Sequence, residues 1–508
     1  MALVHLRQFC SLQISDQTMN DNALLDTKGI VFVGVYLVSL ILIGVAGRFA
    51  RKENSLSDFY LSGRGMGLFV LFLTLYATQY SGNTLIGMAG SAYRQGYAFL
   101  VSVIFMMSVI GAYLIYAPKL HNRSKKHGYI TVGDYVQHRF GSPVLTVFIT
   151  IVCIVAVGSY ILTNLKAIGY IVEVSTGGRV TFVQGIIALS LVMVIYETLG
   201  GMRSVAWTDA IQGILLIAGC IFIFCGIEYQ YGGISTVAET LVISRPDLWH
   251  SPDIEQKRLW LSTIIIIMFG ISIYPQAIQR IYAAKDAKTL RRSFQIMIFM
   301  PIVTTFFLVM VGIVGLARFP GLDKQGSEEI TLLLLNDMSV HIPGVKYFII
   351  LFLSAAVAAI MSTVDSALLA ISSLFTQDIY KRIRPGASQS NLTGTGKIFS
   401  WVLMACMAYF AVNLPQTIWR LTEIKLEILC QVAPAIFLGL HIKSLHGRSI
   451  LLGLSIGICI TLFIMFSNSI GLSIEPKPWG VHAGVWGLAA NFSTVGITSI
   501  YKRMPVKC

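Results

Sequence analysis

The chain has 508 residues, of which 55% are hydrophobic and only 12% charged, and its formal net charge is +14. A soluble chain of this length carries about 25% charged residues and divides into several domains; here the apolar residues run in windows of about 20, enough to cross a hydrocarbon core of about 30 Å as helix. This excludes a soluble multidomain enzyme, and the basic excess does not signal nucleic acid, because Lys and Arg fall in the short segments between apolar windows.

In chain order, residues 1–28 predict an extracytoplasmic tail, unstructured to Asp26, without a charged-then-apolar leader and with Met19 as an alternative start. About 13 helical windows follow, near 29–50, 66–93, 99–117, 143–172, 180–199, 204–227 and 260–282, then 294–316, 346–376, 396–414, 421–441, 449–470 and 481–500. The predicted fold class is an all-α polytopic membrane protein, one transmembrane domain over 29–500 with a cytoplasmic tail over 501–508. Cys10, Cys153, Cys220, Cys225, Cys406, Cys430, Cys459 and Cys508 are scattered with no CxxC or Cys/His spacing, so neither zinc nor a disulfide framework is expected.

Charge in the connecting segments orients the chain. One face holds Arg48, Arg51, Lys52, Arg64, Lys119, Arg123, Lys125, Lys126, Arg139, Arg203, the Lys285–Arg292 cluster, Lys381, Arg382, Arg384, Lys397, Lys443, Arg448 and the tail. That is about 23 Lys and Arg against about 12 opposite, and the alternation works only for an odd number of spans. The other face carries the two longest loops, 228–258 and 318–345, each more acidic than basic. A plasma (inner) membrane protein with its N-terminus outside and its C-terminus in the cytoplasm is expected. Gly394-Thr395-Gly396-Lys397 fails as a phosphate loop, with Asn391 where glycine is needed and Ile398 where a hydroxyl is needed, so no nucleotide is expected to drive the chain.

Two windows are interrupted at mid-depth. The second contains Ala77-Thr78-Gln79-Tyr80-Ser81-Gly82-Asn83-Thr84, and the seventh contains Phe269-Gly270-Ile271-Ser272-Ile273-Tyr274-Pro275-Gln276. Unpaired polar groups in hydrocarbon are costly, and Pro275 removes a backbone donor and opens its helix one turn earlier. Broken helices at matching places in two halves point to the binding site of a secondary transporter, whose free carbonyls can hold a cation. Gly and Pro that merely pack against neighbouring helices are the competing reading.

Several motifs together resemble the sodium:solute symporter family, whose members carry sugars, proline, pantothenate and other organic solutes. They are Tyr196-Glu197-Thr198-Leu199-Gly200-Gly201-Met202-Arg203-Ser204 with Trp207-Thr208-Asp209-Ala210-Ile211-Gln212, and Gln279-Arg280-Ile281-Tyr282-Ala283-Ala284-Lys285. Ala358-Ala359-Ile360-Met361-Ser362-Thr363-Val364-Asp365-Ser366 follows, then Asp378-Ile379-Tyr380-Lys381 and Gln431-Val432-Ala433-Pro434. The resemblance runs from about residue 29 to 500 in the family's order. It implies the inverted-repeat, LeuT-like transporter fold, with five-helix repeats over about 66–227 and 260–441. It also implies a co-transported sodium ion held by the carbonyls of Ala77, Tyr80 and Ala359 and the hydroxyls of Ser362 and Thr363. Sodium prefers such uncharged oxygen ligands; the competing reading has both hydroxyls bonding back to their own helix.

A second cation at Asp209, Asp365 and Ser366 occurs in some relatives, where a hydroxyl often stands in place of Asp365. A carboxylate at 365 would strengthen that site, pair with a basic residue or carry a proton, and a structural ion pair weighs as much as the cation reading. Solute candidates lie between the breaks: Gln79, Ser81, Tyr274, Gln276 and Gln431. Gln79 departs from the Asp of proline carriers and the Asn of a sugar carrier. Lys425 and Glu427, near the outer end of the eleventh window, stand out; Lys425 either snorkels to the interface or attracts an anionic solute during entry. The expected function is sodium-coupled symport of an amino acid, monocarboxylate, vitamin or sugar, with no enzymatic chemistry. Proton coupling through Asp209 or Asp365, and a solute sensor acting through a separate partner, are the alternatives.

Overall fold

The computed structural model of the protein describes residues 25, 27–50, 55–80, 83–249, 251–341, 345–414, 418–472 and 475–501. Most of the expected tails, Met19 and the solute candidate Ser81 lie outside the described residues, while 27–28 and 501, expected in the tails, belong to helices. In hydrocarbon a chain must satisfy its own backbone, and helix does so within one segment; each predicted window accordingly contains helix. In chain order these are α1 (Thr27–Phe49), α2 (Leu68–Gln79), α3 (Ala89–Gln95), α4 (Ser102–His127), α5 (Pro143–Ser175), α6 (Phe182–Gly200), α7 (Met202–Tyr231), α8 (Ile254–Ile271) and α9 (Pro275–Ala283). They continue with α10 (Ala287–Met297), α11 (Thr305–Arg318), α12 (Val345–Leu374), α13 (Gln389–Asn413), α14 (Ile418–Leu429), α15 (Ala433–His441), α16 (Gly447–Phe466) and α17 (Ala483–Tyr501).

Among the described residues ten helices are long and apolar enough to cross a membrane, or eleven if the bent pair α8 and α9 counts as one span. The windows 66–93 and 481–500 account for the difference from the expected number. The first is cut after α2, and α17 mixes Asn491, Ser493, Thr494 and Thr498 into its apolar run. The two segments read as long loops are themselves partly helical, as Gly233–Ser244 and Ile330–His341. The second is tied down where Asp337 pairs with Arg318 at 3.0 Å and accepts from Tyr231 at 2.7 Å.

Burial sorts the helices. The span containing α12 has 81% of its apolar window buried, against 17% for α1. The deeply buried α12 is therefore the axis on which α5, α7 and α13 pack, and α1 is peripheral. Gly201, inside the longest motif, joins α6 to α7 at φ 62°; a β-carbon there would strike the ring and carbonyl of Phe59, so the corner requires glycine. On the basic face Met66 makes a short backbone bridge to the end of α9, donating to Ala283 O at 3.1 Å and accepting from Lys285 N at 3.0 Å.

Candidate functional site

Helix α2 stops at Gln79 because Tyr80 turns extended, at φ −105° and ψ 104°. Its last carbonyls lose their intrahelical donors, a costly state inside a bilayer. Side chains from other helices reach them. Tyr160 of α5 donates to Thr78 O at 3.2 Å, and Thr363 Oγ1 of α12 lies 3.4 Å from Ala77 O while bonding back to Ala359 O of its own helix at 2.9 Å, as the competing reading expects. The chain resumes as one π-helical turn, Asn83–Met88, before α3.

The second break is the same device. Pro275 opens α9 without an amide donor, and α9 is bent 51° from α8. Tyr113 of α4 donates to Ile271 O at 3.3 Å, and Tyr116 donates to Ser272 O. Gln79 Nε2 donates to Tyr113 Oη at 2.9 Å, so one run of hydrogen bonds connects the first break to the second.

Below the breaks lies a fully buried ionic cluster. Arg280 Nη2 of α9 is 2.7 Å from Asp209 Oδ2 of α7 and 2.6 Å from Ser366 Oγ of α12. Its Nε donates to Thr74 Oγ1 of α2 at 2.8 Å and its Nη1 to Gln276 O at 3.1 Å. Thr74 and Ser362 both donate to the Asp209 carboxylate. A buried pair holds only when its remaining donors and lone pairs are also satisfied, and four helices supply those partners.

Of the sodium candidates, Ala77, Ala359 and Thr363 are brought together, and the buried Tyr80 ends the same helix with its ring 4.7 Å from that of Tyr76. Ser362 faces the other way, onto Asp209. Of the second-cation set, Asp209 and Ser366 converge on the Arg280 guanidinium, while Asp365 is fully buried with neither carboxylate oxygen hydrogen-bonded among the described residues. Asp209 thus takes the ion-pair reading in this conformation.

Between the breaks lies a cavity of about 30 Å³, room for a group no larger than water. Gln79, Thr84, Tyr160, Tyr274, Thr422 and Lys425 line it, with Met, Ile and Leu as the remaining wall. Gln276 is outside that lining, buried with its amide unpartnered among the described residues. Gln431 is turned away: its side-chain amide donates to Gly484 O at 2.8 Å and Thr461 Oγ1 at 3.2 Å, and its backbone carbonyl accepts from Asn491 at 2.8 Å, which fixes α16 and α17. Lys425 does not snorkel. It is 1% exposed, with Nζ 3.6 Å from the centroid of the Tyr160 ring. A separate cleft of about 310 Å³, lined by Arg94, Trp260, Lys324, Arg420, Glu423 and Lys477 among others, lies at the end of α8 and α14 beyond this cavity. A larger groove of about 450 Å³ between α6 and α13 is almost wholly apolar and holds none of this chemistry.

Sequence reasoning missed Arg280, Thr74, Tyr113, Tyr116, Tyr160 and Thr422. Arg280 had a signal, since an arginine inside an apolar window must find an acid and Asp209 was the available one. The three tyrosines had none, because an aromatic residue in a membrane helix is ordinary.

A sequence profile described as the sodium:solute symporter family matches residues 59–457. Relatives include the high-affinity proline transporter PutP of Bacillus subtilis, 28% identical over 471 residues covering 90% of this chain and 96% of that one. The sodium/pantothenate symporter of Haemophilus influenzae is 26% identical over 373 residues, 72% of this chain and 75% of that one. Among solved structures, a Na+-coupled sialic acid symporter in its substrate-bound outward-open state matches with a TM-score of 0.76 at 19% identity, over 93% of this chain and 97% of that one. A nucleobase-cation-symport-1 family transporter in a closed conformation matches at 0.55 and 12% identity, over 90% and 97%. These likenesses establish an all-helical transporter fold. With the profile spanning most of its length, the chain belongs to the sodium:solute symporter family, and is a multi-pass membrane transporter rather than an enzyme, with sodium as its co-transported ion.

Proposed function

We propose that this chain takes a small organic solute into the cell together with sodium, by alternating access around the two broken helices. The observation that carries the reading is the meeting of Thr363 with the carbonyls of Ala77 and Ala359 where α2 breaks. Sodium binds there, with Tyr80 O as a further ligand and the Ser362 hydroxyl once it leaves Asp209. Binding draws α2 to α12 and orders both breaks for the solute, which Gln79 and Tyr274 contact. The proposed architecture is about 13 crossings, with inverted repeats over about 66–227 and 260–441, the N-terminus outside and the basic face in the cytoplasm. A tenfold sodium gradient with about 100 mV supplies roughly 3.7 kcal/mol per ion, enough for about 500-fold accumulation of a solute without net charge at one-to-one coupling, and about tenfold for a monoanion, whose charge cancels the voltage term.

The test is thermal stability of the purified protein against a panel of solutes, in sodium and in potassium. A solute that protects only in sodium supports the reading. Replacing Ser362 and Thr363 together by alanine is expected to weaken sodium dependence, and unchanged sodium affinity overturns the site. One observation favours a second reading: Asp365 is buried and unpaired among the described residues, the state expected of an acid that carries a proton. Protection that follows pH and ignores sodium selects it.

A further inference from the structure

Lys425 is the one charged side chain among the described residues that line the cavity between the breaks. Among the described residues its Nζ lies over aromatic faces, 3.6 Å from the Tyr160 centroid and 5.5 Å from that of Tyr274, with no hydrogen bond or ion pair. The two acids on its own helix are committed elsewhere. Glu423 pairs with Lys477 at 2.8 Å and Arg420 at 3.1 Å, and Glu427 pairs with His482 at 3.1 Å. A buried ammonium with no counter-charge is expensive, and cation–π contact offsets only part of that.

We propose that the solute is a small monocarboxylate whose carboxylate completes an ion pair with Lys425. The inference rests on reading this cavity, closed here to the size of a water, as the solute pocket that opens in the transport cycle. Charge balance chooses the class. A sugar would leave Lys425 unpaired, and an amino acid would bring an ammonium to a wall with no Asp or Glu. One carboxylate neutralises the lysine and leaves nothing over. Met88, Met106, Ile267 and Leu426 suit a short hydrocarbon body, and Gln79, Thr84 and Thr422 suit a hydroxyl or keto oxygen. The cleft beyond points the same way. Arg94, Lys324, Arg420 and Lys477 outnumber its acids even when Glu328 behind Arg94 and Glu427 behind Arg420 are counted with Glu423, so an anion is drawn toward the pocket.

The experiment uses the full-length protein in detergent, its thermal midpoint read in sodium and in potassium. The probes are acetate, propionate, lactate, pyruvate and hexanoate, with propionamide, lactamide, proline and glucose as controls. At least one carboxylate is expected to protect while its amide does not, and Lys425→Met is expected to bind that acid at least about tenfold more weakly. The substitution removes an unpaired buried charge, so the unliganded midpoint should hold or rise. If the variant does not fold, Lys425→Arg, which keeps the charge, must retain the preference for acid over amide. The proposal is overturned if no carboxylate protects the wild type, if an amide, proline or glucose protects as well as the acid, or if Lys425→Met binds the acid normally. Failures separate cleanly. Acid protection equal in both salts but lost in Lys425→Met keeps the ion pair and removes sodium coupling at this pocket; protection by a neutral solute in sodium alone does the reverse.

Discussion

Arg280 and Asp209 meet at 2.7 Å with neither side chain reaching solvent. The pair joins α9, just past the second break, to α7, and through Thr74, Ser362 and Ser366 it holds α2 and α12 as well. Four helices, α2, α7, α9 and α12, are therefore fastened at one buried point.

Removing either charge should unfold the carrier before it alters specificity. Arg280→Met and Asp209→Leu are each expected to cost about 3–5 kcal/mol, because each strands its partner in a medium without water. The double variant should cost less than the sum of the two. Thermal or denaturant midpoints of the three proteins test this, and strict additivity would show that the residues act independently.

Ser362 and Thr363 are neighbours with different employment. Thr363 faces Ala77 O, and Ser362 serves Asp209. Thr363→Ala is therefore expected to raise the sodium concentration for half-maximal uptake by about tenfold, with a smaller rise for Ser362→Ala. Uptake into proteoliposomes across a sodium series distinguishes the two, and an inverted order would move the ion toward Asp209.

Tyr113 relays between the breaks, accepting from Gln79 and donating to Ile271 O. Tyr113→Phe leaves both groups unpaired in the interior, at a cost of about 1–3 kcal/mol. Because those groups border the solute cavity, solute affinity should fall along with the thermal midpoint, whereas a merely structural tyrosine would lower the midpoint alone.

Asp365→Asn separates the coupling ions. The neutral side chain removes the need to bury a charge, so the variant should fold at least as well as the parent. Sodium-driven uptake is expected to persist. If uptake instead loses its response to an imposed pH gradient and gains nothing from sodium, Asp365 is the proton carrier.

The windows and both breaks were legible because lipid imposes them: backbone must be satisfied within the segment, and Ala77–Thr84 and Phe269–Gln276 visibly cannot be continuous lipid-facing helix. The partners of the freed carbonyls were not. Tyr160 is 82 positions from Thr78 and Tyr113 is 158 from Ile271, separations at which no local pattern operates. Rotation about a helix axis was equally hidden. Lys425 and Gln431 share one window, but six residues at about 100° each turn their side chains to different neighbours. Hydropathy reports depth and not azimuth, so it left Lys425 open between reaching outward and meeting an anionic solute when the side chain lines the cavity, and Gln431 read as solute-facing when it braces α17.

The backbone bridge at Met66 makes this end of the molecule a clasp. Met66 stands just before the first broken helix and Ala283 and Lys285 at the end of the second, so two peptide hydrogen bonds tie the two broken segments together. His121 on Ile281 O at 2.8 Å and Gln279 on Ser373 at 2.7 Å lie along the same seam. Such bonds, set side by side on rigid elements, cannot be released a little at a time. Passage to that side should come as an abrupt switch between two well-populated shapes, with the half-parted form too short-lived to leak ions.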